Sequence, residues 1–315
     1  MKYLTLARWL PSHTRCWEMN NKKTIILFAN AENDIGFRAA RRAAEILLKL
    51  ERQIVFCPLY PQGLSDSFYK HRQEIGAITE GRAENYIESA EMIITFGGDG
   101  TILRAARIAA DAGCGTPILG INVGHTGFMA EIEADETDMI AAAATGKYET
   151  ESRMMLDVEI LRDNEVIKSD FALNDVVVRG DNKVIDLTIF GDSQRISAFY
   201  GDGTVIATPT GSTAYSMAAG GPIVEPSAHN IIVTPICAHF LEARSFVLAS
   251  DRQVTVRLGN RNRNHAYMSA DGGDHVMINN GDVVSVKKSG MYTNFMRVTD
   301  RSFYKKVSEK LGGQG

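Results

Sequence analysis

The sequence predicts an α/β fold: an N-terminal open parallel α/β (Rossmann-like) domain followed by a C-terminal β-rich sandwich domain. Three observations predict it. Short β-branched runs alternate with helix-period segments from residue 22 to about residue 130, the pattern of a parallel sheet covered by helices. Helical period then nearly vanishes between Arg153 and Ser289, where apolar strands are separated by turn residues. A glycine cluster, GGDGT at 97–101, marks a strand-to-helix switch inside the first region.

Residues 1–21 read as an extension in which Trp9 or Trp17 packs; Arg8 and Pro11 interrupt any signal-like apolar core. The α/β domain is expected over 22–129. There "TIILFAN" is a strand, and "GFRAARRAAEILLKLERQ" is a helix with Phe37, Ala40, Ala44, Leu47 and Leu48 on one face. "IVFCPLY", "EMIITF" and "TPILGIN" are further strands, with a helix following Thr101. "ADETDMIAAAATGKYE" predicts one more helix. The β-rich domain is expected over 130–291, with turns at Asp163-Asn164 and Gly191-Asp192, as a sandwich or a distorted barrel. "FYKKVSEKL" is amphipathic, and the segment 292–315 is expected to pack back on the first domain.

Composition excludes several functions. In 315 residues, 44% are hydrophobic and 23% charged, ordinary for a globular protein. A net charge of -4 with no basic stripe argues against nucleic acid. No apolar run of ~18 residues occurs, so no membrane span is expected. Cys16, Cys57, Cys114 and Cys237 are too dispersed for a metal or redox motif, which fits a reducing, cytoplasmic setting. No HExxH pattern or other protein metal site is read.

The glycine cluster carries the chemistry. Walker A, GxGxxG and the protein-kinase motifs are absent. Gly97, Gly98 and Gly100 permit unusual φ and close backbone approach, and Thr101 can cap the helix. Helix N-terminal amides favour an anion, so an aspartate at 99 would repel phosphate unless it serves the nucleophile. A carboxylate that accepts an alcohol's proton beside a phosphate cradle fits phosphoryl transfer. A simple Asp-Gly turn is the plainer alternative. The hydroxyl-rich stretch 200–226, with Thr208, Thr210, Ser212, Thr213, Tyr215 and Ser216, suits ribose and phosphate oxygens. Asn174 and Asp175 stand at the mouth of an apolar strand, where they can read a ribose diol or form a plain turn.

With these segments in hand, the chain resembles the NAD kinases, which phosphorylate the adenosine ribose 2′-hydroxyl of NAD. The matching strings are GGDGT, "PILGINVGHTGF" at 117–128, "LNDVVV" at 173–178, "GDGTVIATPTGSTAYSMAAGGPIVEP" at 201–226 and "TPICAH" at 234–239. The resemblance implies that Asp99 is the proton acceptor and that Gly97, Gly98, Gly100 and Thr101 belong to the nucleotide site. It implies that Asn174 and Asp175 hold a ribose, that Asp202 lines the site, and that Thr213, Ala214, Tyr215 and Ser216 contact NAD. Arg104 is a further phosphate candidate. ATP with Mg²⁺ or another divalent cation is the implied donor system, and a homodimer or homotetramer the implied assembly. Thr126, Ala238, Ser245 and Gly273 depart from the family pattern. Two alternatives remain: a GGDGT-type lipid kinase and a non-catalytic NADP-binding sensor.

Overall fold

The computed structural model describes residues 24–59, 79–80, 82–124, 127–181, 183–239, 243–259 and 265–312. The extension with Trp9 and Trp17, and the residue Thr126, lie outside the described residues.

The first half is a parallel sheet. Strands β1 (Thr24–Ala29), β2 (Gln53–Pro58), β3 (Thr79–Glu80), β4 (Ala90–Gly97) and β5 (Ile118–Asn122) lie in the order β5-β4-β1-β2-β3. Every residue of β1 is buried, because helices cover both sheet faces, and this is why the strand reads as an unbroken apolar run. Helix α1 (Arg38–Lys49) turns Ala39, Ala40, Ala43, Ala44 and Leu47 inward. Its small alanines allow close approach to the sheet. The buried Asp34 carboxylate accepts from Ala39 N–H at 3.1 Å and Ala40 N–H at 3.0 Å, satisfying two amides of the first turn. Helix α2 (Asp99–Asp111) follows β4 directly and buries Ile102, Ala105, Ala106 and Ala109. The helix expected after residue 133 is reduced to a 3-10 turn, Thr137–Met139, and the short α3 (Ile140–Ala144), after the two-residue strand β6 (Ile132–Glu133).

The second half is a sandwich of two sheets, not a barrel. Strands β7 (Glu149–Arg162) and β8 (Glu165–Ala172) pair through a two-residue turn with Asp163 at φ 52° and Asn164 at φ 65°, the left-handed pair a tight hairpin needs. One sheet holds β9 (Asp175–Gly180), β12 (Gly203–Ala207), β13 (Asn230–Ile236), β14 (Phe246–Ala249), β16 (Ala266–Ala270) and β17 (Val276–Ile278). Facing it are β7, β8, β10 (Ile185–Gly191), β11 (Gln194–Gly201), β15 (Val254–Leu258) and β18 (Val283–Arg297). Val158, Val176, Leu187, Ile206 and Met268 fill the space between them.

One strand joins the halves. β18 pairs antiparallel with β7 and, near its end, parallel with β5 through Phe295 and Ile118. The parallel sheet and one leaf of the sandwich are therefore one continuous sheet, and the division expected at 291/292 falls inside β18. After β18 the chain turns into helix α4 (Phe303–Leu311), whose first turn is capped by the Ser302 hydroxyl accepting from Lys305 N–H at 3.2 Å. From α4, Lys306 donates to the Ala130 carbonyl, and the Lys310 ammonium lies 4.0 Å from the centre of the Phe128 ring.

Candidate active site

The glycine loop and Asp99 form a clasp. Helix α2 begins at Asp99, not after Thr101, and Gly98 is its N-cap with no side-chain capping bond. Asp99 reaches away from its own helix: Oδ2 accepts from Phe128 N–H at 2.8 Å and Oδ1 from Met129 N–H at 3.1 Å. A carboxylate has about four lone-pair sites, so two remain for another donor. The fit needs glycine at 127, where a Cβ would sit 1.8 Å from Asp99 Oδ1. The turn that merely caps its own helix is thereby excluded.

Of the three loop glycines, Gly97 acts as expected and the other two do not. Gly97 is required by close approach, since a Cβ there would lie 2.3 Å from Thr101 Oγ1. Gly98 has an ordinary φ of -88° and Gly100 is helical, so neither uses glycine's unusual φ. A Cβ at either would meet no protein atom within 4 Å. The absent side chains leave open space above the helix N-terminus. Thr101 does not cap; it is buried beneath Gly97.

A second set of residues converges on a cleft of about 270 Å³. Asn174, Asp175, Ala214, Tyr215 and Asp271 line it, with Leu103 of α2, one helical turn beyond Asp99, on one wall. The bottom is built around Asp271, at φ 49° after β16. Its Oδ2 accepts from Leu173 N–H at 2.7 Å, and its Oδ1 from Asn174 N–H at 2.7 Å and Asp175 N–H at 3.1 Å. Gly211 presses on the same segment, since a Cβ there would lie 2.1 Å from the Asn174 carbonyl. Asn174 and Asp175 are 7% and 5% exposed, and Asn174 Oδ1 is buried without a hydrogen-bond partner. Burial, and then the neighbouring Asp271 charge, push Asp175 up to about 7. Burial also raises Asp271, against the lowering effect of its three amide donors. The cleft thus holds an unsatisfied acceptor and two crowded carboxyls, a place for hydroxyl donors.

Most hydroxyls of the 200–226 stretch do not face this cleft. Thr208 Oγ1 donates to Leu173 O at 2.6 Å, and Ser212 Oγ accepts from Val224 N–H at 3.0 Å. Ser216 is fully buried, with its hydroxyl 3.1 Å from that of Thr234. Thr213 Oγ1 turns back to Thr210 O at 3.3 Å. These bonds hold the loop in shape as a knot, and the buried Thr208, Ser212 and Ser216 spend their hydroxyls on protein partners, while the half-buried Thr213 keeps lone pairs for a further donor. Ala214 and the 38% exposed Tyr215 are what the knot presents to the cleft. Arg104 is exposed on α2 and lines none of the clefts described here. Asp202 is exposed at the sheet end beside Cys237, whose thiol bonds to it and is raised by it. Cys237 is an exposed thiol at φ 45°, not the core residue its apolar strand predicts.

A partly buried ion network connects the clasp to the 208–216 loop. Glu131, 2% exposed, accepts from Arg297 Nη1 at 2.8 Å, from Val298 N–H at 3.0 Å and from Thr299 N–H at 2.9 Å. Arg297 Nε bonds to Glu151 Oε2, and Glu151 Oε1 bonds to Arg153. Arg153, 5% exposed, donates to Thr210 Oγ1 at 3.2 Å. Sequence reasoning did not single out Asp271, Glu131, Arg153, Arg297 or Lys306. The only available signal was Asp271-Gly272 after an apolar strand. Among the described residues no cluster of three or more His, Cys, Asp or Glu side chains is placed to hold a metal ion.

The chain has relatives in both sequence and fold. The ATP-NAD kinase N-terminal domain family matches residues 25–148, and the ATP-NAD kinase C-terminal domain family matches 173–298. The NAD kinase of Natranaerobius thermophilus is 42% identical over 231 residues, covering 72% of this chain and 80% of that one. The NAD kinase of Ruminiclostridium cellulolyticum is 32% identical over 292 residues, covering 92% of this chain and 98% of that one. The fold is that of yeast NADH kinase, solved with NADH, at a TM-score of 0.80 and 22% identity over 94% of this chain and 89% of that one. It is also that of an Archaeoglobus fulgidus NAD kinase, solved with ATP, at a TM-score of 0.66 and 23% identity over 92% of this chain and all of that one. Two matched domains in sequence, around a clasped aspartate beside a polar cleft, place the chain in the NAD kinase family.

Proposed function

We propose that this protein transfers the γ-phosphoryl group of ATP to the 2′-hydroxyl of the adenosine ribose of NAD, giving NADP and ADP. The observation that carries the reading is Asp99: a carboxylate oriented by two amides, at the open N-terminus of α2, one helical turn from the Asn174–Asp175 cleft. Asp99 accepts the 2′-hydroxyl proton as that oxygen bonds to the γ-phosphorus and the bond to the β–γ bridging oxygen breaks. The open space at Gly98 and Gly100 lets the phosphates approach the helix amides. Mg²⁺ enters with the triphosphate as part of the substrate. Asn174 and Asp175 hold a ribose, the unsatisfied Asn174 Oδ1 accepting from a hydroxyl. Ala214 and Tyr215 cover the base.

A lipid kinase would need a purely apolar cavity, whereas each cleft places charged side chains beside its apolar ones: Asp175 and Asp271 in one, Arg153, Arg297 and Lys306 in another, Glu131 and Glu133 in the third. A pure NADP sensor has no use for a clasped carboxylate at a phosphate site. We further propose a cytoplasmic homodimer or homotetramer; no helix among the described residues is long and apolar enough to cross a membrane. The test is NADP formation from NAD, ATP and Mg²⁺ by the purified chain. Absence of product with NAD and NADH alike, under conditions where the protein is folded, refutes the reading.

A further inference from the structure

Lys306 stands out from the other cations around the clasp. Two clefts, of about 310 Å³ and 230 Å³, lie on either side of the 127–130 segment, and Lys306 lines both. The larger also holds Arg153, Arg297 and Arg301. Each of these arginines has a carboxylate partner: Glu151 for Arg153, Glu131 and Glu151 for Arg297, Glu136 for Arg301. Among the described residues Lys306 has no ion pair, and its one hydrogen bond goes to the Ala130 carbonyl, next to the amides that hold Asp99. An ammonium carries three donors, so two are unspent. Lys310, four residues on and therefore on the same helix face, lies over Phe128 and feels the Asp99 charge.

We propose that Lys306 is a substrate-contacting residue of the phosphotransfer reaction, and that its ammonium binds the phosphate chain of the donor beside Asp99. This rests on the reading above. A half-buried ammonium without a close ion pair is poorly solvated, and a phosphate oxygen supplies a further acceptor. Burial, and the charges of Arg297 and Arg153, lower Lys306 to about 8, while Glu131 and Asp99 act in the opposite direction. The remaining acids on these clefts are Glu133, Glu309, Glu151 and Glu225. Glu151 is already shared by two arginines, and Glu225 bonds to Tyr304. An arriving phosphate chain raises the lysine again, so near pH 8 the lysine takes up protons on binding.

The experiment uses the full chain and inorganic tripolyphosphate as probe. Calorimetric titration at pH 8 in buffers of different ionisation enthalpy reads proton uptake; steady-state kinetics read KM for ATP and for NAD. The wild type is expected to take up more protons on binding than either variant, the probe's own ionisation near pH 8 being common to all three. Lys306→Met is expected to abolish this excess and to raise KM for ATP roughly 10- to 100-fold, with KM for NAD within threefold. Lys306→Arg is expected to restore most ATP affinity, which a purely structural role near Ala130 would not require. Wild-type proton uptake no greater than that of Lys306→Met or Lys306→Arg, whichever folds, overturns the inference. An unchanged KM for ATP in Lys306→Met overturns it while leaving the reaction standing. If the wild type makes no NADP yet tripolyphosphate binds with Lys306-dependent uptake, the anion site stands and the proposed reaction falls.

Discussion

Replacing Asp271 by asparagine isolates the base of the nucleotide cleft. In the wild type, one carboxylate accepts three successive amides, from Leu173, Asn174 and Asp175. The asparagine oxygen can retain the two bonds now made by Oδ1, but its NH₂ group faces the Leu173 N–H, donor against donor. Loss of one bond to a charged acceptor in a buried setting is about 1.5–3 kcal/mol. The substitution also removes a charge that crowds Asp175, which opposes the loss. The net expectation is a destabilisation of about 1–2 kcal/mol at neutral pH, read as a shifted urea midpoint at unchanged slope. Because the affected amides carry Asn174 and Asp175, KM for NAD should rise at least fivefold while KM for ATP moves less than twofold. Equal changes in both KM values, or a stability change below 0.3 kcal/mol with KM for NAD unaltered, would refute the assignment of Asp271 as the positioning group.

Asp175→Asn should change the pH dependence of stability. The wild-type carboxyl is raised from 3.8 to about 7, so the folded state keeps its proton to higher pH than the unfolded chain does. Stability therefore falls as pH rises between those values, by up to about 4 kcal/mol; thermal melts from pH 4.5 to 8 should show a smaller decline in the variant than in the wild type. Gly127→Ala places a methyl 1.8 Å from Asp99 Oδ1 and should cut turnover more than tenfold, with NAD affinity by calorimetry largely kept. Glu131→Gln removes the charge that holds Arg297 and should destabilise by about 2–3 kcal/mol in urea denaturation. A shift under 0.5 kcal/mol there would deny the network a structural role.

Much of this was legible in the sequence wherever a local signal existed. The apolar runs of β1 and β4 needed only their own residues to be read as buried strands, and GGDGT needed only its place between strand and helix. In the hydroxyl-rich loop, spacing shows which groups are polar but not which acceptors the fold supplies. Ser212 and Thr208 donate to the Val224 and Leu173 carbonyls, and the Ser216 hydroxyl bonds to that of Thr234. The hidden residues are those whose partners are remote: Asp271 lies 97 residues from Asn174, and Arg297 lies 166 from Glu131. Nothing near Arg153 in the sequence indicates that it will be buried against Thr210, and β18 becomes a link between the halves only through pairing with β5.

The clasped carboxylate is the centre of the account, and Asp99→Asn measures it most directly. Turnover of NAD with ATP and Mg²⁺ should fall ~10²-fold or more, the scale of a lost general base, while the dissociation constant for NAD stays within a few-fold of wild type. Turnover within threefold of wild type, in a variant that still binds both substrates, would mean that the proton leaves the ribose by another route.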